Sequence, residues 1–331
     1  MTTTPENPSP AEVARPDLSI VIVNWNGCEM LRNLLRSIEA NHDGLCVQTI
    51  VSDNASTDGS ANTVAAEFGG VTLFRNATNL GFARGNNVGV KSATGRHILF
   101  LNNDMVVRPG AFAALVAFLD SHPEVAAVGP KLIGGDGKPQ RAGRALLTFA
   151  ALLNRITLLK ATGLFRKAYK EYRRGGFDPE RPGVVGQLDG AALLVRRDQF
   201  NQLGGWDEGF EFGGEDVDLC KRLGDLGAVY YLPEAEIEHL GRISSRANRP
   251  YTYRTYECGY VRYLAKHHGR GKALLYKLLV TLDMPLRVLA AAVQTAYHGV
   301  RGQKKKADRS RDVLVASSAF LLKGMPSYWR S

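Results

Sequence analysis

Long apolar runs are missing from this sequence. The best candidate, 273–300, is interrupted by Lys277, Asp283, Pro285 and Arg287. It falls short of the roughly 20 apolar residues that a bilayer crossing takes, and at most lies along an interface. The first seventeen residues are rich in Pro, Thr and Glu and lack an apolar core, so 1–17 reads as a disordered leader and not a secretory signal. Cysteine is scarce. Cys28, Cys46, Cys220 and Cys258 lie far apart, with no CxxC pair and no metal-ligand spacing, which fits reduced thiols of a cytoplasmic protein. There is no internal repeat, and Gly81-x-x-x-Gly85 is not the GxGxxG of dinucleotide enzymes, which counts against an oxidoreductase.

Acidic residues are also sparse toward the C-terminus. From Tyr251 onward fifteen Lys and Arg face four acids, so this segment carries +11 against a net charge of +10 for the whole sequence, and the remainder is close to neutral. A basic tail on a neutral body suggests an anionic partner surface. No nucleic-acid-binding module accompanies the charge, so nucleic acid is not expected as a partner. Lys304, Lys305 and Lys306 with their flanking helices read either as a membrane-surface anchor, each cation worth about 1 kcal/mol near anionic lipid, or as a solvated linker.

What is present is a strand–helix alternation. The β-branched run 18–23 ends at Asn24-Trp25-Asn26-Gly27 and is followed by a helical pattern through Ile38. The strand at 47–51 delivers Asp53 and a Ser/Asp-rich loop, and the apolar run 97–101 delivers Asn102-Asn103-Asp104. Further strands are expected at 71–74, 125–133, 184–196, 228–232 and 235–239, with a helical, basic and aromatic stretch at 148–176. This order predicts an α/β fold with a mostly parallel central sheet and helices on both faces. Ligands of such sheets bind beyond the strands' carboxyl ends, where the polar clusters fall.

Each candidate has a plain structural alternative. Asp53 can accept hydrogen bonds from a pyrimidine nucleotide or close an Asx-turn, a role that suits Asp58 better. Gly81, Arg84, Gly85 and Asn86 at a helix start suit close approach to a diphosphate, or make an ordinary turn. Glu215, Asp216 and Asp218 crowd a helix N-terminus, where they complement the dipole, yet three acids in four positions exceed what capping requires; Asp218 reads as structural. Trp206 can stack on a sugar or fill a core. His239 is a ligand candidate or a buried hydrogen-bonder.

Six stretches in order (21–27, 51–60, 79–89, 101–107, 190–196 and 205–222), with His239 and Ser244-Ser245, resemble family 2 glycosyltransferases, in particular the bacterial rhamnosyltransferase-like branch. The resemblance implies the GT-A fold over 18–250, followed by a basic helical extension over 251–331. It implies an inverting transfer from a nucleotide-diphosphate sugar, with deoxythymidine-diphosphate-rhamnose favoured and UDP-sugars open. The acceptor would be lipid-linked or a polysaccharide in cell-envelope glycan synthesis, reached from the cytoplasmic face of the membrane. It assigns Asn24, Asp53, Gly81, Arg84, Asn86 and Asn103 to the nucleotide sugar, and Gly190, Trp206, Asp207 and Glu215 to the acceptor or sugar. Asp216 would be the catalytic base. Asp104, at the position of the family's DxD, and His239 would hold Mn²⁺ or Mg²⁺, and an imidazole favours Mn²⁺. Only Asp104 of that DxD is acidic. An idle binder that keeps the fold, or a nucleotidyltransferase, are the rivals; the latter needs a basic Gly-rich loop after the first strand, which 24–27 does not supply.

Overall fold

The structure is a computed structural model describing residues 15–174, 177–241 and 248–331. The expectations for 1–14 and for Ser244-Ser245 lie outside the described residues. Among the described residues eleven strands run β1 Leu18–Asn24, β2 Val47–Asp53, β3 Thr72–Arg75, β4 His97–Asn102, β5 Met105–Val107, β6 Val125–Gly134, β7 Gly143–Arg144, β8 Gly183–Val184, β9 Gln187–Leu188, β10 Ala192–Arg196 and β11 Ala228–His239. The helices are α1 Cys28–Ala40, α2 Ser60–Glu67, α3 Gly81–Val90, α4 Ala111–Ser121, α5 Phe149–Leu153, α6 Thr157–Thr162, α7 Arg166–Arg174, α8 Arg197–Gln202, α9 Glu215–Gly224, α10 Arg249–His267, α11 Arg270–Val300, α12 Lys304–Ala319 and, after a π-turn, α13 Met325–Arg330.

The main sheet runs β3-β2-β1-β4-β10-β6-β11-β5, with β8 added against β11. Strands β3, β2, β1 and β4 are parallel, and the continuous apolar runs of β1 and β4 suit their place at the centre of the sheet. Beyond β4 the sheet is mixed. β10 inserts antiparallel between β4 and β6, and β5 and β8 flank β11 antiparallel. The two short strands expected at 228–239 are one strand, whose register shifts between Leu232 and Glu236, around Pro233, because proline cannot donate to a ladder. Helix α1 buries Leu31, Leu34, Leu35 and Ile38, one stripe at helical spacing, under this sheet.

The chain leaves β1 outward through β2 and β3, then returns to β1's other side as β4. That reversal opens a crevice at the carboxyl ends of β1 and β4, the position where open α/β sheets take their ligands.

A second apolar cluster joins the C-terminal helices to the rest. Val261, Leu264, Tyr276, Val280, Met284 and Phe320 pack with Leu152, Ile156, Phe210 and Val217. Inside it Glu257, 1% exposed, accepts from Arg155 at 2.8 Å and from the Tyr276 hydroxyl at 2.9 Å. Burial alone would raise its pKa, but the Arg155 and Arg287 charges hold it below the ordinary carboxylate value. Removing one partner of such a pair strands the other charge, so Glu257→Gln should cost about 3 kcal/mol of stability in denaturant melts.

Candidate functional site

Three strand ends are tied into one polar row. Asn24 closes β1 fully buried; its Nδ2 donates to Asp53 Oδ1 at 3.0 Å, and its Oδ1 accepts from Asn103 Nδ2 at 2.7 Å. Gly27 makes this possible, since a Cβ there would lie 2.4 Å from Asn103 Nδ2. Asp53 is buried, and its carboxylate also accepts from the Ser56 hydroxyl at 2.6 Å and the Ser56 amide at 3.0 Å. The turn-closing role therefore belongs to Asp53 as well as to Asp58, which accepts from the Cys28 and Ser60 amides. Beside the row Trp25 is half exposed, an open aromatic face that sequence reading passed over.

Gly81, Arg84 and Asn86 belong to the first turns of α3 and not to a loop before it. Gly81, at φ +78°, donates its amide to Asn79 Oδ1 at 2.9 Å, and its carbonyl accepts from Asn54 Nδ2 at 3.0 Å. Arg84 is exposed and lies 3.6 Å from Glu208. Asn86 is buried and donates to the Phe82 carbonyl one turn back.

Asp104 and His239 meet because β5 pairs with the end of β11, placing His239 opposite Met105. Both are buried, with His239 Nε2 3.5 Å from Asp104 Oδ1. Gln140 sets the imidazole. Its amide nitrogen donates to the His239 carbonyl at 2.9 Å, which turns its oxygen toward His239 Nδ1 at 2.8 Å. Nδ1 must then carry the proton in the neutral ring, leaving the Nε2 lone pair aimed at a carboxylate oxygen that has no hydrogen-bond partner. In that form two buried acceptors face each other with nothing to share. A hard cation resolves that arrangement, and one carboxylate with one imidazole is a donor set such an ion accepts. No group of three or more acidic, His or Cys ligands occurs among the described residues, so these two would supply only part of a coordination shell.

The acidic turn opens α9, after Gly213 and Gly214 in left-handed conformations (φ +89° and +101°). Gly190 lies against Asp216; a Cβ on it would be 3.2 Å from Asp216 Cβ. The next residue, Ala191, accepts from the Asn102 amide at 2.9 Å. This bond ties the acidic turn to the end of β4 that carries Asn103 and Asp104. Burial and the neighbouring Asp189 raise the Asp216 pKa, outweighing the Val217 amide and Arg144, which favour its charge. Burial and Asp216 push Glu215 upward too, and its Oε2 is buried without a partner. Asp189 and Arg144 complete the cluster, with Arg144 facing Tyr172, Asp189 and Asp216. Sequence reading missed both. Asp189 directly precedes Gly190, the position where that stretch begins to match, and Arg144 lies in a segment with no pattern of its own.

Two expected contacts fall elsewhere. Trp206 is 1% exposed and enclosed edge-to-face by Phe82 and Phe100, with ring centroids 5.2 and 5.0 Å away, so it offers no face to a sugar. Asp207 turns to α10, where it accepts from Arg262 at 2.6 Å and Lys266 at 2.8 Å. Those bonds overcome burial and hold its pKa far below the ordinary value. Asp218 is fully buried between Arg222, Lys266 and His267, the structural role read from sequence.

Residues 19–176 match the family model described as Glycosyl transferase family 2. The chain is 31% identical over 238 residues to an N-acetylglucosaminyl-diphospho-decaprenol L-rhamnosyltransferase of Mycobacterium tuberculosis, covering 67% of this chain and 75% of that one. It is 23% identical over 255 residues to rhamnosyltransferase WbbL of Escherichia coli, covering 75% and 92%. Among solved structures, a mannosyltransferase from Pyrobaculum calidifontis in complex with GDP-Man and Mn²⁺ superposes with a TM-score of 0.52 at 16% identity, covering 97% and 91%. With the sheet reversal and the polar strand ends in place, these likenesses identify the chain as a rhamnosyltransferase-like member of glycosyl transferase family 2, a glycosyltransferase on the GT-A fold.

Proposed function

We propose that the enzyme transfers a sugar with inversion, in cell-envelope glycan synthesis, from a nucleotide-diphosphate donor to a lipid-linked or polysaccharide hydroxyl. The carrying observation is Asp216, a carboxylate with raised proton affinity joined through Gly190 and Ala191 to the strand end that bears Asp104. As the acceptor oxygen bonds to the anomeric carbon, the bond to the diphosphate oxygen breaks and Asp216 takes the hydroxyl proton. Glu215 and Gly190 border the acceptor. Asn24, Asp53 and Asn103 form the floor beneath the nucleotide, with Trp25 beside it, and Gly81, Arg84 and Asn86 lie toward the diphosphate. Asp104 and His239 would hold a divalent cation, Mn²⁺ or Mg²⁺, which when bound neutralises charge on the departing diphosphate.

The relative from M. tuberculosis is named for a lipid-linked sugar diphosphate acceptor and a rhamnosyl product. Deoxythymidine-diphosphate-rhamnose is therefore the favoured donor, and UDP-linked galactose, glucose or N-acetylhexosamine are the alternatives. The basic C-terminal segment would place the enzyme on the inner face of the cytoplasmic membrane. Thermal shift against a nucleotide-sugar panel with Mn²⁺ tests the donor. A true donor at a hundredfold its dissociation constant stabilises by about 2.7 kcal/mol, and transfer from that donor to a polyprenyl-diphosphate-linked sugar should follow. A shift with UDP-sugars alone would overturn the rhamnose assignment.

A further inference from the structure

Helix α11 is amphipathic in the reverse sense past its first turn: the charges at Lys277, Asp283 and Arg287 point inward. Asp283 is buried, accepting from the Thr157 amide and hydroxyl at 2.8 and 3.0 Å. Arg287 pairs with it at 3.1 Å. Lys277 donates to the carbonyls of Trp329 and Ser331. With the exposed Pro285, these are the residues that break the apolar run in the sequence, and none of the three charged ones interrupts the outer face. That face presents Leu275, Leu278, Leu282, Leu286, Leu289 and Val293 at intervals of three and four, continuing to Tyr297 and Val300. Leu282 is 73% exposed and Val300 91%. A contiguous exposed apolar stripe of this kind marks an interaction surface.

We infer that this stripe is a docking face for an anionic lipid surface, with α11 lying in the interface plane. Charge decides between lipid and a second copy of the chain. Exposed cations stand at both ends of the stripe, Arg270 and Lys272 before it and Arg301, Lys304, Lys305 and Lys306 after it. Between Arg270 and Lys306 the single acid is the buried Asp283. Two-fold pairing of the face with itself would set cations against cations in either direction. An anionic membrane instead offers acyl chains to the leucines and headgroups to the lysines. No helix among the described residues is long and apolar enough to cross a membrane, so the helix would lie on the surface. The inference rests on the membrane association proposed above and assigns it to a face.

The full chain, the variant Leu282→Gln/Leu289→Gln and the variant Lys304→Gln/Lys305→Gln/Lys306→Gln are sedimented with vesicles of phosphatidylglycerol and phosphatidylcholine in equal parts. Light scattering and circular dichroism are recorded on each. The expected result is a folded leucine variant whose vesicle-bound fraction falls about tenfold at low and high salt alike, and a lysine variant whose loss appears mainly at low salt, because high salt already screens the attraction in wild type. Leucine-variant binding equal to wild type, with binding lost in the lysine variant, would overturn the stripe and keep the charge-driven association. A wild-type chain that never sediments with vesicles would overturn both. A wild-type dimer that the leucine pair converts to monomer would assign the face to a second copy.

Discussion

Asp216→Asn should lower transfer by about 10³-fold while leaving nucleotide-sugar binding, read by thermal shift, nearly unchanged. The side chain keeps its shape and its contact with Gly190, so the loss isolates proton abstraction from positioning. Two further signatures separate a base from a dipole-capping acid. The wild-type rate should rise with pH through about 6, above the ordinary carboxylate range near 4, because burial and Asp189 disfavour the charged form that the reaction needs. Asp189→Asn should move that limb downward. Stability should run the other way. A carboxylate whose folded pKa is raised contributes stability below its unfolded pKa, and that contribution is lost as pH rises through the folded value. Asp216→Asn should therefore gain about 1–2 kcal/mol over wild type at pH 8 and nothing at pH 4. A variant that retains transfer, or that loses stability at pH 8, would leave Asp216 as a structural acid.

The parallel half of the sheet was legible because β1 and β4 at its centre are continuous apolar runs, buried on both faces and ending in polar residues. Asn24 and Asn103 fell where those runs stop and Asp53 at the end of β2, and the structure links them in one row. The mixed half was harder. Whether β10 enters parallel or antiparallel depends on the long excursion through 135–191, whose short helices carry no periodicity that fixes direction. Trp206 and Asp207 show the limit of reading a glycine-rich acidic loop. Enclosure by Phe82 and Phe100, and ion pairing to Arg262 and Lys266, involve partners that are more than fifty residues away in either direction. The inward charges of α11 are the same problem on one helix. Composition marks Lys277, Asp283 and Arg287 as interruptions, while their partners Thr157 and the backbone at 329–331 make them interior.

Asp104→Asn should weaken Mn²⁺ binding, read by electron paramagnetic resonance of free and bound ion, by about 10² or more and reduce transfer in step. His239→Gln should follow the same direction. Gln140→Leu tests the geometry behind them, since freeing Nδ1 lets the imidazole take the wrong tautomer; a loss of about 10–100-fold in metal affinity is expected, as for other groups that orient a ligating histidine. The alternative for this pair is a structural bond in which a protonated His239 donates to Asp104. The two cases diverge without metal. A structural bond makes Asp104→Asn destabilising in chelator-treated protein, by about 1–3 kcal/mol. Two facing acceptors, by contrast, repel until a cation arrives, so asparagine, which can donate to Nε2, should leave the metal-free protein equally or more stable. Chelator should then lower the melting temperature of wild type and leave that of Asp104→Asn unmoved, because only the wild type has an ion to lose.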